Sequence, residues 1–419
     1  VSAGIDRPRV EARDRAGPLT PSAPRLLILG GDADFNLGDR AILHGLCLAL
    51  LRADRSARIT ITSNTLEPAS LPGVVAVIPR GAGALPRLLR AAARQDLVIV
   101  GGGGLFQDDD SRVKMPYWAA RLRLLARTNP RLVGHALGAG PLRHTESRVC
   151  ARLACDVLES VSVRDHFARD WLQPCTSRHV ELVPDPAFML PPAPTAAVDA
   201  VLRRLRIEPG RPLVGVALRR WFHRRGGVVP NRARAALGLG TQEGVADMAG
   251  FLDQLAGVLQ ALAADLGADV LLLPSYHVAH EGDLQACRQL AGRLGERHTR
   301  VAVIREPCLY KGVCGRLSIM LSARMHPLIL AAGMGVPVVG LGYNGKFGGV
   351  FRLLGLSGRV IPLDAFRAAS QGDRLFAAVR TALSEPVDLR ARCEGLAART
   401  LTATRTLLGS GLAARAKAE

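Results

Sequence analysis

Short, wholly apolar runs alternate with amphipathic stretches along most of the chain. Leu26-Leu-Ile-Leu, ending at Gly30, has the unbroken hydrophobicity of a strand buried on both faces. Ala41–Leu51 then reads as a helix. The alternation continues with strands Ile59–Thr62, Val74–Ile78, Leu97–Val100, Leu132–His135 and Ser160–Val163, and with helices Leu85–Arg94 and Glu146–Leu158. Leu190-Pro-Pro-Ala-Pro-Thr195 interrupts the rhythm, and its prolines predict a semi-rigid hinge. A second set follows: helices Ala197–Leu205, Ala246–Leu266, Glu281–Leu294 and Pro327–Met334, with strands Leu213–Leu218, Val270–Leu273, Val301–Val303 and Val336–Leu341. The Ala/Leu/Arg-rich tail from Asp373 to Leu408 reads as helical. Strand–helix alternation of this kind predicts an α/β protein with two doubly wound parallel sheets facing a cleft. The expected division is a first domain at 25–190, a hinge at 191–195 and a second domain with terminal helices at 196–419. Residues 1–24 mix acids, arginines and prolines without an apolar segment and read as a disordered leader. Trp221–Thr241, rich in glycine and arginine and without periodicity, reads as a mobile loop and a candidate lid.

Composition supports two sizeable cores: 419 residues, 48% hydrophobic and 22% charged. Aromatic residues at 4% argue against a surface built for base stacking. Basic residues outnumber acidic ones by 55 to 36, a net charge of +19, and only four of the basic residues are lysines. The rest are arginines, whose planar fork matches carboxylate and phosphate. A small, multiply anionic substrate or an anionic membrane surface therefore fits the balance. Nucleic acid is not expected, because no helix-turn-helix, RNA-binding signature or basic–aromatic interleaving occurs. Eight cysteines without a CxxC, none clustered with histidines in a zinc-like spacing, point to a reduced cytoplasmic protein and to no metal site. No apolar run is long enough to span a membrane.

In open parallel sheets, ligands sit beyond the carboxyl ends of the strands. After the first strand comes Gly30-Gly-Asp-Ala-Asp-Phe-Asn36-Leu-Gly38-Asp39, in which Asn36 and Asp39 either contact a substrate hydroxyl or cap the helix. After Leu97–Val100 come four glycines, Gly101–Gly104; Gly102, Gly103 and Gly104 are candidates for a backbone-lined anion site. They complete neither a dinucleotide fingerprint nor a P-loop. The acids that follow, Asp108, Asp109 and Asp110, could ligate a divalent ion, but consecutive acids in a polar loop are more often simply solvated. Ser162-Val-Arg164-Asp165 places an arginine where a strand opens into a helix. Ser322-Ala-Arg324-Met-His326-Pro, with Tyr343-Asn-Gly-Lys346 after the next strand, brings one imidazole and two cations to one rim.

These blocks, taken in order together with Asp185-Pro-Ala-Phe188 and Pro337, resemble the polysaccharide pyruvyltransferase family over Leu26 to Leu356. The chain departs from the family pattern at Arg40, Ala168, Met325 and Pro327. The resemblance implies two Rossmann-like domains in a glycosyltransferase-B-like arrangement. It also implies phosphoenolpyruvate as donor with no further cofactor, and a glycan or glycolipid acceptor that receives a pyruvate ketal across two hydroxyls. It places Arg164, Arg324 and His326 at the donor, with His326 and Arg324 catalytic and Lys346 beside them; Asp165 and Tyr343 join Asn36 and Asp39 as acceptor or structural candidates. Peripheral contact with an anionic membrane fits a lipid-linked acceptor. Two other readings stand beside it: a nucleotide-sugar-dependent glycosyltransferase of the same architecture, and a non-enzymatic basic docking protein. The first would need an acid to hold a ribose, and none is visible in the sequence near Arg324.

Overall fold

The computed structural model describes residues 23–109, 111–129, 131–220, 243–367 and 371–415. The expected leader, apart from its last two residues, and the expected lid at Trp221–Thr241 lie outside them, as does Asp110. The first sheet comprises β1 (Arg25–Leu29), β2 (Arg58–Thr62), β3 (Val74–Ile78), β4 (Leu97–Gly101), β5 (Gly104–Phe106), β6 (Leu132–Ala139), β7 (Val161–Val163) and β8 (Glu181–Leu182). Its order is β3-β2-β1-β4-β6-β7-β8, with β5 added onto β6 and every pairing parallel. The second sheet holds β9 (Leu213–Ala217), β10 (Asp269–Leu272), β11 (Thr299–Val301), β12 (Ile319–Ser322), β13 (Val338–Gly342) and β14 (Val360–Pro362), in the order β11-β10-β9-β12-β13-β14. Both lobes therefore reverse strand order once, between β1 and β4 and between β9 and β12. At such a reversal, adjacent loops diverge and leave a crevice. The runs Gly30–Asp39, Gly101–Gly104 and Ser322–His326, and Arg219, all leave strands at these two crevices.

The central strands β4, β9 and β12 are fully buried, as the apolar runs of the first two predict. Several elements differ from the sequence pattern. Helix Leu37–Ala53 begins four residues before its apolar stripe, because the Asn36 side chain caps the N–H groups of Gly38 and Asp39. Asp39 is thus a first-turn residue rather than the cap. The central strand β12 offers only Ile319-Met-Leu321 before Ser322, too short an apolar run to stand out in sequence. Helices Lys114–Ala126, Pro307–Cys314 and Lys346–Leu353 are further elements beyond those expected from the apolar pattern. The tail forms two helices, Gln371–Ser384 and Leu389–Arg415, with Pro386 in the break.

The lobes are joined more closely than by the linker alone. Ala193 N donates to Cys308 O at 2.8 Å and Lys311 Nζ to Leu190 O at 2.6 Å, pinning the linker to the second lobe. Helix Leu389–Arg415 runs back to the first lobe, where Leu408 joins the core around Leu26 and Leu46. There Thr400 Oγ1 donates to Pro184 O at 2.9 Å, and Thr404 Oγ1 lies 3.1 Å from His135 Nε2. Helix Leu37–Ala53 crosses the turn Pro186–Met189 so closely that a Cβ on Gly45 would lie 1.9 Å from Pro186 O. Backbone cannot yield as a flexible side chain does. Gly45→Ala is expected to destabilise the fold by about 1–3 kcal/mol despite alanine's better helix propensity. A thermal melt of the variant checks this, and an unchanged or raised midpoint would contradict it.

Candidate active site

The two crevices open into one cavity of about 760 Å³ between the sheets. The first lobe contributes Asn36, Gly38 and Asp39, and the second contributes Arg324, His326 and Tyr343. At its edge the lobes pair as strands do: Leu37 N donates to Ser275 O at 2.9 Å, His277 N to Phe35 O at 3.0 Å, and Asn36 and Tyr276 form an antiparallel bridge. Tyr276 Oη donates to Asp32 Oδ2 at 2.8 Å.

Arg164 and His326 meet at Asp185. The Arg164 Nη1 donates to Asp185 Oδ2 at 3.0 Å, and His326 Nε2 lies 3.4 Å from the same oxygen without hydrogen-bond geometry. Asp185 is fully enclosed, and its other oxygen accepts from Ala187 N at 2.9 Å, starting the turn Pro186–Met189. Burial penalises its charge, but His326 and Arg164, with the Ala187 N–H, hold its carboxyl down at about 2. Arg164 leaves β7 directly, as the strand-end pattern predicts, and is itself buried. Its Nε is 3.6 Å from Asp165 Oδ2 and has no hydrogen-bond acceptor among the described residues. An orphaned buried donor on a cavity wall is what an anionic ligand satisfies. The His326 ring also presses on the first lobe, since a Cβ on Gly38 would sit 2.1 Å from its Nδ1. Only glycine admits the imidazole there.

Arg324 is placed differently from the expectation of an anion clamp. Its Nε donates to Asp283 Oδ2 at 3.0 Å, and its Nη2 to Glu281 Oε2 at 2.9 Å and to Asp283 Oδ1. The guanidinium also lies 5.3 Å from the centre of the Tyr276 ring. Burial opposes its charge, yet Asp283 and Glu281 raise its pKa further and keep it ionised. Among the described residues Nη1 is left for a ligand. The acid absent from the sequence near Arg324 is therefore supplied twice by the fold, from residues some forty positions earlier.

Lys346 Nζ reaches across the cleft to Gln107 Oε1 and lies 3.6 Å from Asp109 Oδ2. Tyr343 lines the cavity beneath Arg219, whose guanidinium carbon is 4.3 Å from the ring centre. Gly104 lines the cavity, whereas Gly102 and Gly103 do not. Both have φ of +78°, and a Cβ on Gly103 would lie 2.5 Å from Asp39 Oδ1, so they let the strand-end turn approach the first helix. Asp39 Oδ2 accepts from Asp32 N at 2.8 Å while facing the cavity. Asp165 caps helix His166–Leu172 through Ala168 N at 2.8 Å, under Gly349. Burial pushes the Asp165 carboxyl up against the pull of Arg164.

Sequence reasoning assigned no role to Asp185, Glu281, Asp283 or Arg219. Arg219 had a usable signal: it lies two residues beyond β9, at the strand end where ligands are sought. Glu281 and Asp283 were absorbed into the start of an apparently ordinary helix. The clustering rule that found no cysteine near a histidine also fails in space, since Cys308 Sγ is 3.8 Å from His44 Nδ1.

Solved structures with this fold include a UDP-N-acetylglucosamine 2-epimerase from Methanocaldococcus jannaschii. It is 12% identical with TM-score 0.54, covering 90% of this chain and 99% of that one. The Neisseria meningitidis UDP-GlcNAc 2-epimerase bound to UDP-GlcNAc is 11% identical with TM-score 0.51, covering 93% and 99%. A putative UDP-N-acetylglucosamine 2-epimerase from Listeria monocytogenes is 13% identical with TM-score 0.54, covering 93% and 97%. At such identities the likeness concerns the fold, two Rossmann-like lobes in the glycosyltransferase-B-like manner. No curated protein matches the chain. The profile of the polysaccharide pyruvyl transferases matches residues 36–345, a span that begins at the Asn36 cap and ends one residue before Lys346; the chain belongs to that family.

Proposed function

We propose that this transferase moves the pyruvyl group of phosphoenolpyruvate onto two hydroxyls of a glycan or glycolipid as a cyclic ketal. The observation that carries the reading is that Arg164 and His326, from separate lobes, line a cavity wide enough for donor and sugar and meet on Asp185 behind its wall. Phosphoenolpyruvate carries a carboxylate and a phosphate on one carbon and needs donors on more than one side. Arg164 offers its unsatisfied Nε, and Arg324 its remaining Nη1.

His326 gives a proton to the methylene carbon, and the cationic C2 that results is attacked by the first sugar hydroxyl. That hydroxyl loses its proton, the C2–O bond to phosphate breaks, and inorganic phosphate departs. The second hydroxyl then bonds to C2, loses its own proton and closes the ring. Asp39 faces the cavity and is better placed than Asp165 to take a hydroxyl proton, because Asp165 is not on the cavity wall. Asp185 stays ionised and holds the imidazole and the guanidinium in register. No cofactor enters this scheme. Glu281 is engaged by Arg324, which leaves it ill-suited to hold the ribose of a nucleotide sugar.

The test is incubation with phosphoenolpyruvate and a panel of glycosides, offered free and on anionic vesicles. The readouts are phosphate release and a product heavier by pyruvate less water. A preference for vesicle-borne acceptors would fit the +19 charge and a site of action at the inner membrane surface. Stabilisation by nucleoside diphosphates but not by phosphoenolpyruvate in a thermal-shift comparison would sink the proposal in favour of a nucleotide-sugar enzyme.

A further inference from the structure

Behind the cavity, on the same helix that supplies Asn36 and Asp39, a second group of chemically apt side chains spans the lobes. His44 lies on helix Leu37–Ala53 of the first lobe; Glu306 caps helix Pro307–Cys314 of the second, and Cys308 stands in its first turn. Cys308 Sγ is 3.8 Å from His44 Nδ1, and these two atoms and a Glu306 carboxylate oxygen all lie within 4.8 Å of one another. We propose that His44, Glu306 and Cys308 form a zinc site that ties the two lobes together, independent of the pyruvyl-transfer reaction.

The donor set is one imidazole nitrogen, one thiolate and one carboxylate oxygen, a combination that suits zinc and excludes magnesium or calcium as the preferred ion. An S···N separation of 3.8 Å is close to a tetrahedral edge when a metal sits about 2.0–2.3 Å from each donor. Glu306 Oε2 accepts from Leu309 N at 2.5 Å, which fixes the carboxylate beside the Cys308 thiol. His44 and Cys308 are half-buried and Glu306 is exposed, so the trio is shielded yet reachable from solvent. Binding replaces the Cys308 thiol proton by the metal and releases that proton. Arg40 and Arg305 share this neighbourhood with Glu306, but thiolate and carboxylate bring two negative charges, so a divalent ion leaves the trio neutral. A bound ion would fix the first helix against the second lobe, one turn and a half beyond the cavity wall.

Cobalt(II) is the probe, because a thiolate ligand gives a near-ultraviolet charge-transfer band. One equivalent of cobalt(II) added to the intact, reduced protein is expected to produce that band, and zinc to abolish it. The band is expected to be missing in Cys308→Ser and in His44→Asn. A measurement on the unaltered protein guards against variants that fail to fold. Stoichiometric zinc is expected to slow alkylation of Cys308 by about tenfold or more while leaving the half-buried Cys150 unchanged, read by peptide mass spectrometry. Absence of the band, its persistence in either folded variant, or equal alkylation of Cys308 with and without zinc would overturn the site.

Discussion

His326→Ala is expected to lose about 10²–10⁴-fold in turnover with phosphoenolpyruvate, the usual contribution of a positioned acid, while keeping a melting temperature near that of the unaltered protein. The imidazole is inserted between lobes: its Nδ1 lies over Gly38 and its Nε2 stands 3.4 Å from Asp185. Removing the ring leaves Asp185 still bound to Arg164 and to Ala187 N, so no buried charge is abandoned. The loss should therefore fall on the rate rather than on the fold. Proton donation to C3 has its own signature. In deuterated water the unaltered enzyme is expected to place deuterium on the product methyl group, and the variant to do so only at its residual rate. Near-normal turnover in His326→Ala would remove His326 from the chemistry.

Asp185→Ala is expected to fail in stability as well as in activity. Arg164 is buried and would lose its closest acceptor, leaving among the described residues the Asp165 carboxylate 3.6 Å from Nε. Removing one partner of a buried pair typically costs about 3–5 kcal/mol, which for a lobe of this size lowers the melting temperature on the order of 10 °C. The more conservative Asp185→Asn keeps the shape and loses the charge. Its pH dependence has a definite sign. The Asp185 carboxyl sits at about 2 in the folded protein, below its ordinary value near 4 in the unfolded chain. Its contribution, roughly 2–3 kcal/mol, is therefore full above pH 4 and is lost as pH falls toward 2. The stability gap between the protein and Asp185→Asn should be constant from pH 8 to 5 and narrow below 4. A gap that widened on acidification would contradict the assignment of Asp185 as the ionised hub.

Much of the fold was legible because buried parallel strands leave long apolar runs: Leu26–Leu29 and Leu97–Val100 are recognisable without neighbours. β12 was not, because its apolar run is only Ile319–Leu321 before Ser322, although it positions Ser322, Arg324 and His326. The site was legible where a charged residue directly follows a strand, as with Arg164. Arg324 shows the limit of that rule. Its position was predicted, but the two carboxylates that occupy it come from a neighbouring turn and helix start, at Glu281 and Asp283. The glycines after β4 show another, since Gly102 and Gly103 open space for a helix and only Gly104 faces the cavity.

Local sequence determined which segments are strands and helices, the α/β class and the strand ends that carry polar residues, because periodicity and turn chemistry act over a few residues. Tertiary structure alone decided which charges meet. His326 against Asp185, Tyr276 on Asp32, and Cys308 beside His44 are pairings across the gap between lobes. Electrostatic and hydrogen-bond partners are set by distance in space, and the packing of two sheets, not spacing along the chain, sets that distance.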